Sequence, residues 1–152
     1  MDNASARAMW GDYLDAHLEH AFVDAPKVVH MGPDELQANK SAELVRQGVK
    51  KAISYSLLGL QYRKESLPKI GDFMVVTDWE GKAQCIVKTT AMQLKPFFSI
   101  DENFAKAEGD QSLDQWKQTH WEYYTEELQS FGRVPRDSMI VVCQTFEKVF
   151  ER

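Results

Sequence analysis

The chain has 152 residues, enough for one domain with a sizeable buried core. Its 43% hydrophobic and 27% charged residues are those of an ordinary globular chain, and no run approaches the roughly 20 apolar residues a membrane-spanning helix needs. A net charge of -5 leaves no general basic excess to displace phosphate counterions, so broad nonspecific nucleic-acid binding is excluded and any such contact rests on a local patch or a small footprint.

Ser5 to about His20 predicts a first helix, because Met9, Tyr13, Leu14 and Leu18 recur at helical spacing. Val28-Val29-His30-Met31 is a short extended run stopped by Gly32-Pro33. Asp34 suits the N-cap of a second helix through Gln47, and Gly48 suits the position past its end, where a left-handed backbone costs glycine little. From Lys51 the period changes. Ile53, Tyr55 and Leu57 alternate with Ala52, Ser54 and Ser56, which is strand spacing and sets Lys50, Ser54 and Ser56 on one face. Gln61 to Lys69 is polar and predicts a loop. Turn residues at Pro68 to Asp72 lead into a strand Phe73–Thr77, broken at Glu80-Gly81, with Ala83–Met92 returning as its hairpin partner. Asp101 and Ser112 are N-cap candidates for a short helix through Ala107 and a longer one. Leu113, Trp116, His120, Trp121, Tyr124 and Leu128 share a face of the longer helix, Gly132 marks its end, and Met139 to Val149 predicts a closing strand. The order of elements predicts an α+β fold with a small, mostly antiparallel sheet or barrel. Residues 1–152 read as a single domain, without repeat, low-complexity tract or linker.

Two segments carry the chemistry. In Gly48-Val49-Lys50-Lys51 a helical pattern stops and a lysine stands at the mouth of a strand. A lysine acts as base or nucleophile only where burial or a neighbouring cation lowers its pKa; otherwise it is a solvated strand end. In Ala107-Glu108-Gly109-Asp110 a carboxylate sits in a glycine turn ahead of an aromatic helix, either as an acid/base group or as part of a capping turn. His120 lies on the same helix face as Trp116 and Tyr124, where a core histidine is the plain alternative to a site residue. The aromatics Trp116, Trp121, Tyr123, Tyr124 and Phe131 suit either a core or the stacking of bases. His17 and His20 lack a completing Cys or carboxylate, so no metal site is expected. Cys85 and Cys143 read as buried free thiols of a reducing compartment. No phosphate-binding loop or dinucleotide fingerprint is present, and no cofactor is expected. Met1-Asp2-Asn3-Ala4 does not begin a signal peptide, and a cytoplasmic location follows as the expectation.

These residues together resemble the ASCH domain family of the PUA-like superfamily, in its larger bacterial type. The resemblance is carried in order by Trp10 to Leu14, Glu43 to Ala52, Leu67 to Asp72, Phe104 to Leu113, Trp116, His120-Trp121 and Met139 to Cys143. It implies a PUA-like, small, mostly antiparallel β-barrel with surrounding helices and a cleft at one end. It further implies a partner that is RNA or a small nucleoside or nucleotide ligand. Some members are ribonucleases, and a small relative is an amidohydrolase that deacetylates acetylcytidine with a Lys, a Thr and a Glu. The family lysine matches Lys50 and the family glutamate matches Glu108. The threonine falls on Ile53, which neither donates a proton nor attacks a carbonyl, and Ser54 takes its place only if a bulge shifts the strand. A ligand site of Lys50, Ser54, Ser56, Glu108, Trp116 and His120 is therefore expected, with Lys50 and Glu108 as catalytic groups if the cleft is that of a hydrolase. A protein-interaction domain with exposed aromatics is the third reading.

Overall fold

Five strands form one sheet in the order β1-β3-β4-β5-β2. The computed structural model describes residues 1–152, with strands β1 (Lys27–Val29), β2 (Ala52–Ser56), β3 (Phe73–Thr77), β4 (Ala83–Pro96) and β5 (Ile140–Phe150). The helices are α1 (Ala4–Ala16), α2 (Glu35–Arg46), α3 (Leu57–Tyr62), α4 (Glu102–Ala107) and α5 (Leu113–Gln129). Short 3-10 turns at Leu18–His20 and Phe97–Ser99 follow α1 and β4. β1 pairs with β3 in parallel, and every other pair is antiparallel. The long β4–β5 ladder shifts register between Ile86 and Val87 and again between Thr89 and Ala91. Such irregularities bend a sheet, and the result is a half-barrel with β1 and β2 as free edges rather than a closed barrel.

Both faces of the sheet are covered. Phe73 and Val75 of β3 pack with Ala6, Met9, Trp10 and Tyr13 of α1. Met74 and Val76 point the other way and pack with Ala42 and Val45 of α2. That two-sided burial explains why the β3 segment is an unbroken apolar run instead of an alternating one. A third cluster joins Val141 and Cys143 of β5 to Trp116 and Tyr124 of α5. Asp34, Asp101 and Ser112 cap α2, α4 and α5 as expected, accepting from the N–H groups of Gln37, Phe104 and Gln115.

Several boundaries differ from the sequence reading, among them that of β4, which runs on to Pro96 rather than ending at Met92. The first helix ends at Ala16, and one 3-10 turn carries the chain through His20. The strand read through Leu57 stops at Ser56, whose Oγ accepts from the Gly59 N–H at 3.0 Å and starts α3. Gln61 and Tyr62, the first residues of the expected polar loop, therefore close α3, and the rest of that loop follows the helix.

Candidate functional site

A cleft of about 590 Å³ lies along the free edge β2, bordered by α2 on one side and α5 on the other. An edge strand has no outer neighbour, so Ile53, Ser54 and Tyr55 all border the cleft although successive side chains leave opposite faces.

The segment leading into β2 is clamped from two directions. The Val49 and Lys50 N–H groups both donate to the Leu44 carbonyl of α2, at 2.9 and 3.0 Å. The Lys51 N–H donates to the Ala107 carbonyl at the end of α4, at 2.6 Å. Lys50 is thereby held against the C-terminus of α4, where its Nζ donates to the Glu108 carbonyl oxygen at 2.8 Å. The same Nζ lies 3.5 Å from Glu108 Oε1. A cation at a helix C-terminus also meets the favourable end of the backbone dipole. Gly109 turns the chain away at φ +98°, and a Cβ there would stand 3.3 Å from Leu44, so both conformation and space favour glycine.

Three further donors converge on the other carboxylate oxygen of Glu108. Ser54 Oγ donates to Oε2 at 2.8 Å, Trp116 Nε1 donates at 2.5 Å, and His120 Nε2 lies 3.4 Å away. Tyr124 donates its hydroxyl to Ser54 Oγ at 3.0 Å, extending the chain inward. His120 Nδ1 meets the Trp116 carbonyl at 2.8 Å. With an acceptor at each ring nitrogen, the geometry suits the doubly protonated imidazolium.

The electrostatics follow from these contacts. Burial by itself raises the Glu108 pKa, but the Lys50 charge and the interactions with His120 and Trp116 outweigh it and hold the carboxyl at about 2. Burial opposes charging of His120, yet its hydrogen bond to Glu108 and the Glu108 charge raise its pKa above the ordinary value. Burial pushes the Asp110 carboxyl up. Glu108 Oε1 carries no hydrogen bond of its own, and it is not sealed off: Gln144 Oε1, deep in the sheet, is the one buried side-chain polar atom without a partner. The cluster thus presents a spare Lys50 N–H donor next to a spare Glu108 Oε1 acceptor, with both residues bordering the cleft.

A model of the ASCH domain matches residues 27–150 of the chain. The protein belongs to the ASCH domain family. Its fold is that of the ASCH domain from Lactobacillus crispatus JV V101, with a TM-score of 0.90 at 26% identity over 95% of this chain and 93% of that one. A protein of Enterococcus faecalis V583 aligns with a TM-score of 0.87 at 31% identity, covering 95% of this chain and 88% of that one. The α+β, PUA-like architecture is established by these matches together with the sheet topology. No curated protein matches the chain. No helix is long and apolar enough to cross a membrane.

Of the six residues expected in the ASCH ligand site, Lys50, Ser54, Glu108 and His120 are brought together at the cleft. Trp116 and Ser56 do not border it. Trp116 is fully buried behind Glu108 and holds the carboxylate through its indole N–H, so it has no face free for stacking. Ser56 is consumed by capping α3 and by a hydrogen bond to Glu127. The route expected for Ser54 is also corrected. β2 pairs with β5 in continuous register from Ala52 to Ser56, without a bulge, and Ser54 reaches Glu108 simply because it shares the Lys50 face. Ile53 borders the cleft and packs on the α2 cluster.

Several cleft residues went unread in the sequence. Thr119, Glu122, Glu126 and Glu127 line α5 beside Tyr123, the aromatic already expected as a stacking candidate, at the three- and four-residue steps that continue the His120 side of the helix, so helical periodicity was the available signal. Lys40 follows the same logic on α2. Arg63 gives no local signal, because its place beside Glu127 is set only by tertiary folding.

Proposed function

We propose that the cleft of this ASCH domain binds RNA, a nucleotide or a modified nucleoside by the edge of a base. The supporting observation is the side-by-side donor and acceptor, Lys50 Nζ and Glu108 Oε1, 3.5 Å apart. A cytosine or an acylated cytosine presents the complementary pattern, an acceptor beside an N–H donor. Glu108 is suited to the acceptor role because Lys50 and His120 keep it ionised, and an ionised carboxylate only accepts. The cleft volume of about 590 Å³ accommodates a small ligand of nucleoside size. Tyr123, 43% exposed on the α5 wall, offers an aromatic face for stacking. Mapping amide shifts of the labelled protein during addition of acetylcytidine or cytidine tests this reading. Perturbations at Lys50, Ser54, Glu108 and Asp110 are expected; shifts confined to other regions, or none at saturating ligand, would overturn it.

A second reading, hydrolysis of an acylated cytidine, is favoured by one specific contact: Ser54 Oγ donates to Glu108 Oε2 at 2.8 Å. A hydroxyl hydrogen-bonded to an ionised carboxylate is the pairing of a nucleophile with its base. Ser54 Oγ would attack the acyl carbon while Glu108 takes the hydroxyl proton and returns it to the leaving amine. Water would then hydrolyse the ester and restore the serine. Conversion of acetylcytidine to cytidine and acetate, detected by mass spectrometry and lost in Ser54→Ala, is the expected outcome of this reading. Absence of conversion by the unmodified protein removes it and leaves the binding module.

A further inference from the structure

We infer that the cleft takes its ligand without phosphate, as a free nucleoside, and disfavours nucleotides and RNA; this deepens the base-edge reading and rests on it. The inference comes from the charges bordering the cleft that remain uncompensated. Its lysine and arginine side chains are Lys40, Lys50 and Arg63, and the histidines His30 and His120 also border it. Lys50 and His120 share the Glu108 carboxylate, with the Asp110 carboxylate adding to the field at His120, so their charge is largely balanced although Lys50 keeps an N–H for a neutral acceptor. Arg63 is committed to Glu127 at 2.7 Å and to Glu65 at 3.5 Å. Lys40 is left as the one lysine or arginine of the cleft without an ion pair.

The opposing sign is abundant. Glu122 and Glu126, one turn apart on the α5 wall, have no ion-pair partner, and neither does Asp110 beside Glu108. A phosphate entering this space meets a carboxylate wall on a chain whose net charge is already -5. Phosphate recognition draws on free guanidinium or ammonium groups that replace released counterions, and here the fork of Arg63 is already spent on carboxylates. A neutral nucleoside meets no such repulsion and still satisfies the Lys50–Glu108 pair.

Calorimetric titration of the full chain at low salt provides the test. The probes are acetylcytidine, the four common ribonucleosides, their 5′-monophosphates and a short single-stranded RNA. A nucleoside should bind, its monophosphate about tenfold or more weaker, and the gap should narrow as salt screens the wall. The double variant Glu122→Gln/Glu126→Gln should narrow the same nucleoside-to-nucleotide ratio several-fold. A monophosphate or RNA bound as tightly as the nucleoside overturns the inference while leaving the base-edge reading intact. Binding of none of the probes takes down both.

Discussion

Two serines of β2 face two glutamates, and the pairs behave differently. Ser54 donates to Glu108, which also meets Lys50 and His120; two residues on, Ser56 donates to Glu127, which also meets Arg63. The chemistry of the two clusters is nearly the same, but their settings are not. Lys50 and Glu108 side chains are 8% and 4% exposed, whereas Arg63 is 37% exposed. Ser56 Oγ further accepts from the Gly59 N–H and begins α3, while Ser54 Oγ accepts only from Tyr124 and stays beside the cleft. The Glu127 cluster is a latch that docks α3 onto α5. The Glu108 cluster holds charge in a buried position with donor and acceptor capacity to spare. Burial and vacancy, rather than residue type, separate a site from a staple.

The largest separation should come from the cations. Lys50→Met leaves a buried carboxylate without its ammonium and should cost about 3 kcal/mol in denaturant unfolding, with the Glu108 pKa rising from about 2. Arg63→Ala, at the partly exposed pair, should cost under about 1 kcal/mol because solvent already screens it. Comparable losses in the two variants would erase the contrast.

Gly59→Ala should follow in size. A Cβ there would stand 2.6 Å from Glu127 Oε1 and 2.7 Å from Ser56 Oγ, both tied in the latch, so a loss of about 2 kcal/mol is expected in melting or denaturant curves. The same variant should leave the Glu108 cluster in place, read as an unchanged His120 ring titration.

Smaller effects sharpen the serine pair. Ser54→Ala strands the buried Tyr124 hydroxyl and should cost about 1–2 kcal/mol. Ser56→Ala removes the α3 cap and should cost about 1 kcal/mol, with early exchange of the Gly59 amide as its signature.

The pH dependence should also divide by cluster. A carboxyl depressed from its ordinary 4.5 to about 2 contributes stability that is complete above 4.5 and is lost as pH falls toward 2. His120 has the opposite sign: its raised pKa contributes stability below its ordinary 6.5, lost as pH rises through the folded value. Nitrogen-detected titration of the His120 ring, alongside melting temperatures from pH 2 to 9, checks both. A His120 pKa at or below 6.5 would contradict the imidazolium geometry.

Much of the fold was legible because its signals are local. Side-chain caps at Asp34, Asp101 and Ser112, the apolar β3 run and the glycine after α2 each state a boundary within a few residues. The site was legible in part. Strand alternation placed Lys50 and Ser54 on one face, and the ASCH resemblance pointed to Glu108. What alternation cannot show is where a strand ends. Ser56 has the same phase as Ser54, but the chain turns helical at Leu57 and takes that hydroxyl with it. Nor does helical periodicity show depth: Trp116 and His120 lie one turn apart on α5, yet only His120 reaches the cleft. Convergence of Lys50 with Glu108 across 58 positions is a property of the sheet edge and of the clamps from α2 and α4.

The most direct test is calorimetric titration of a bound nucleoside into the unmodified protein, Glu108→Gln and Glu127→Gln. In Glu108→Gln, Ser54, Trp116 and His120 should keep the amide oxygen at the Oε2 position, which turns the amide N–H₂ toward Lys50 and replaces the free acceptor with a donor. Glu108→Gln should lose affinity about tenfold or more, and Glu127→Gln much less. Equal losses, or a Glu108→Gln variant that binds like the unmodified chain, would contradict the claim that the Lys50–Glu108 pair reads the ligand.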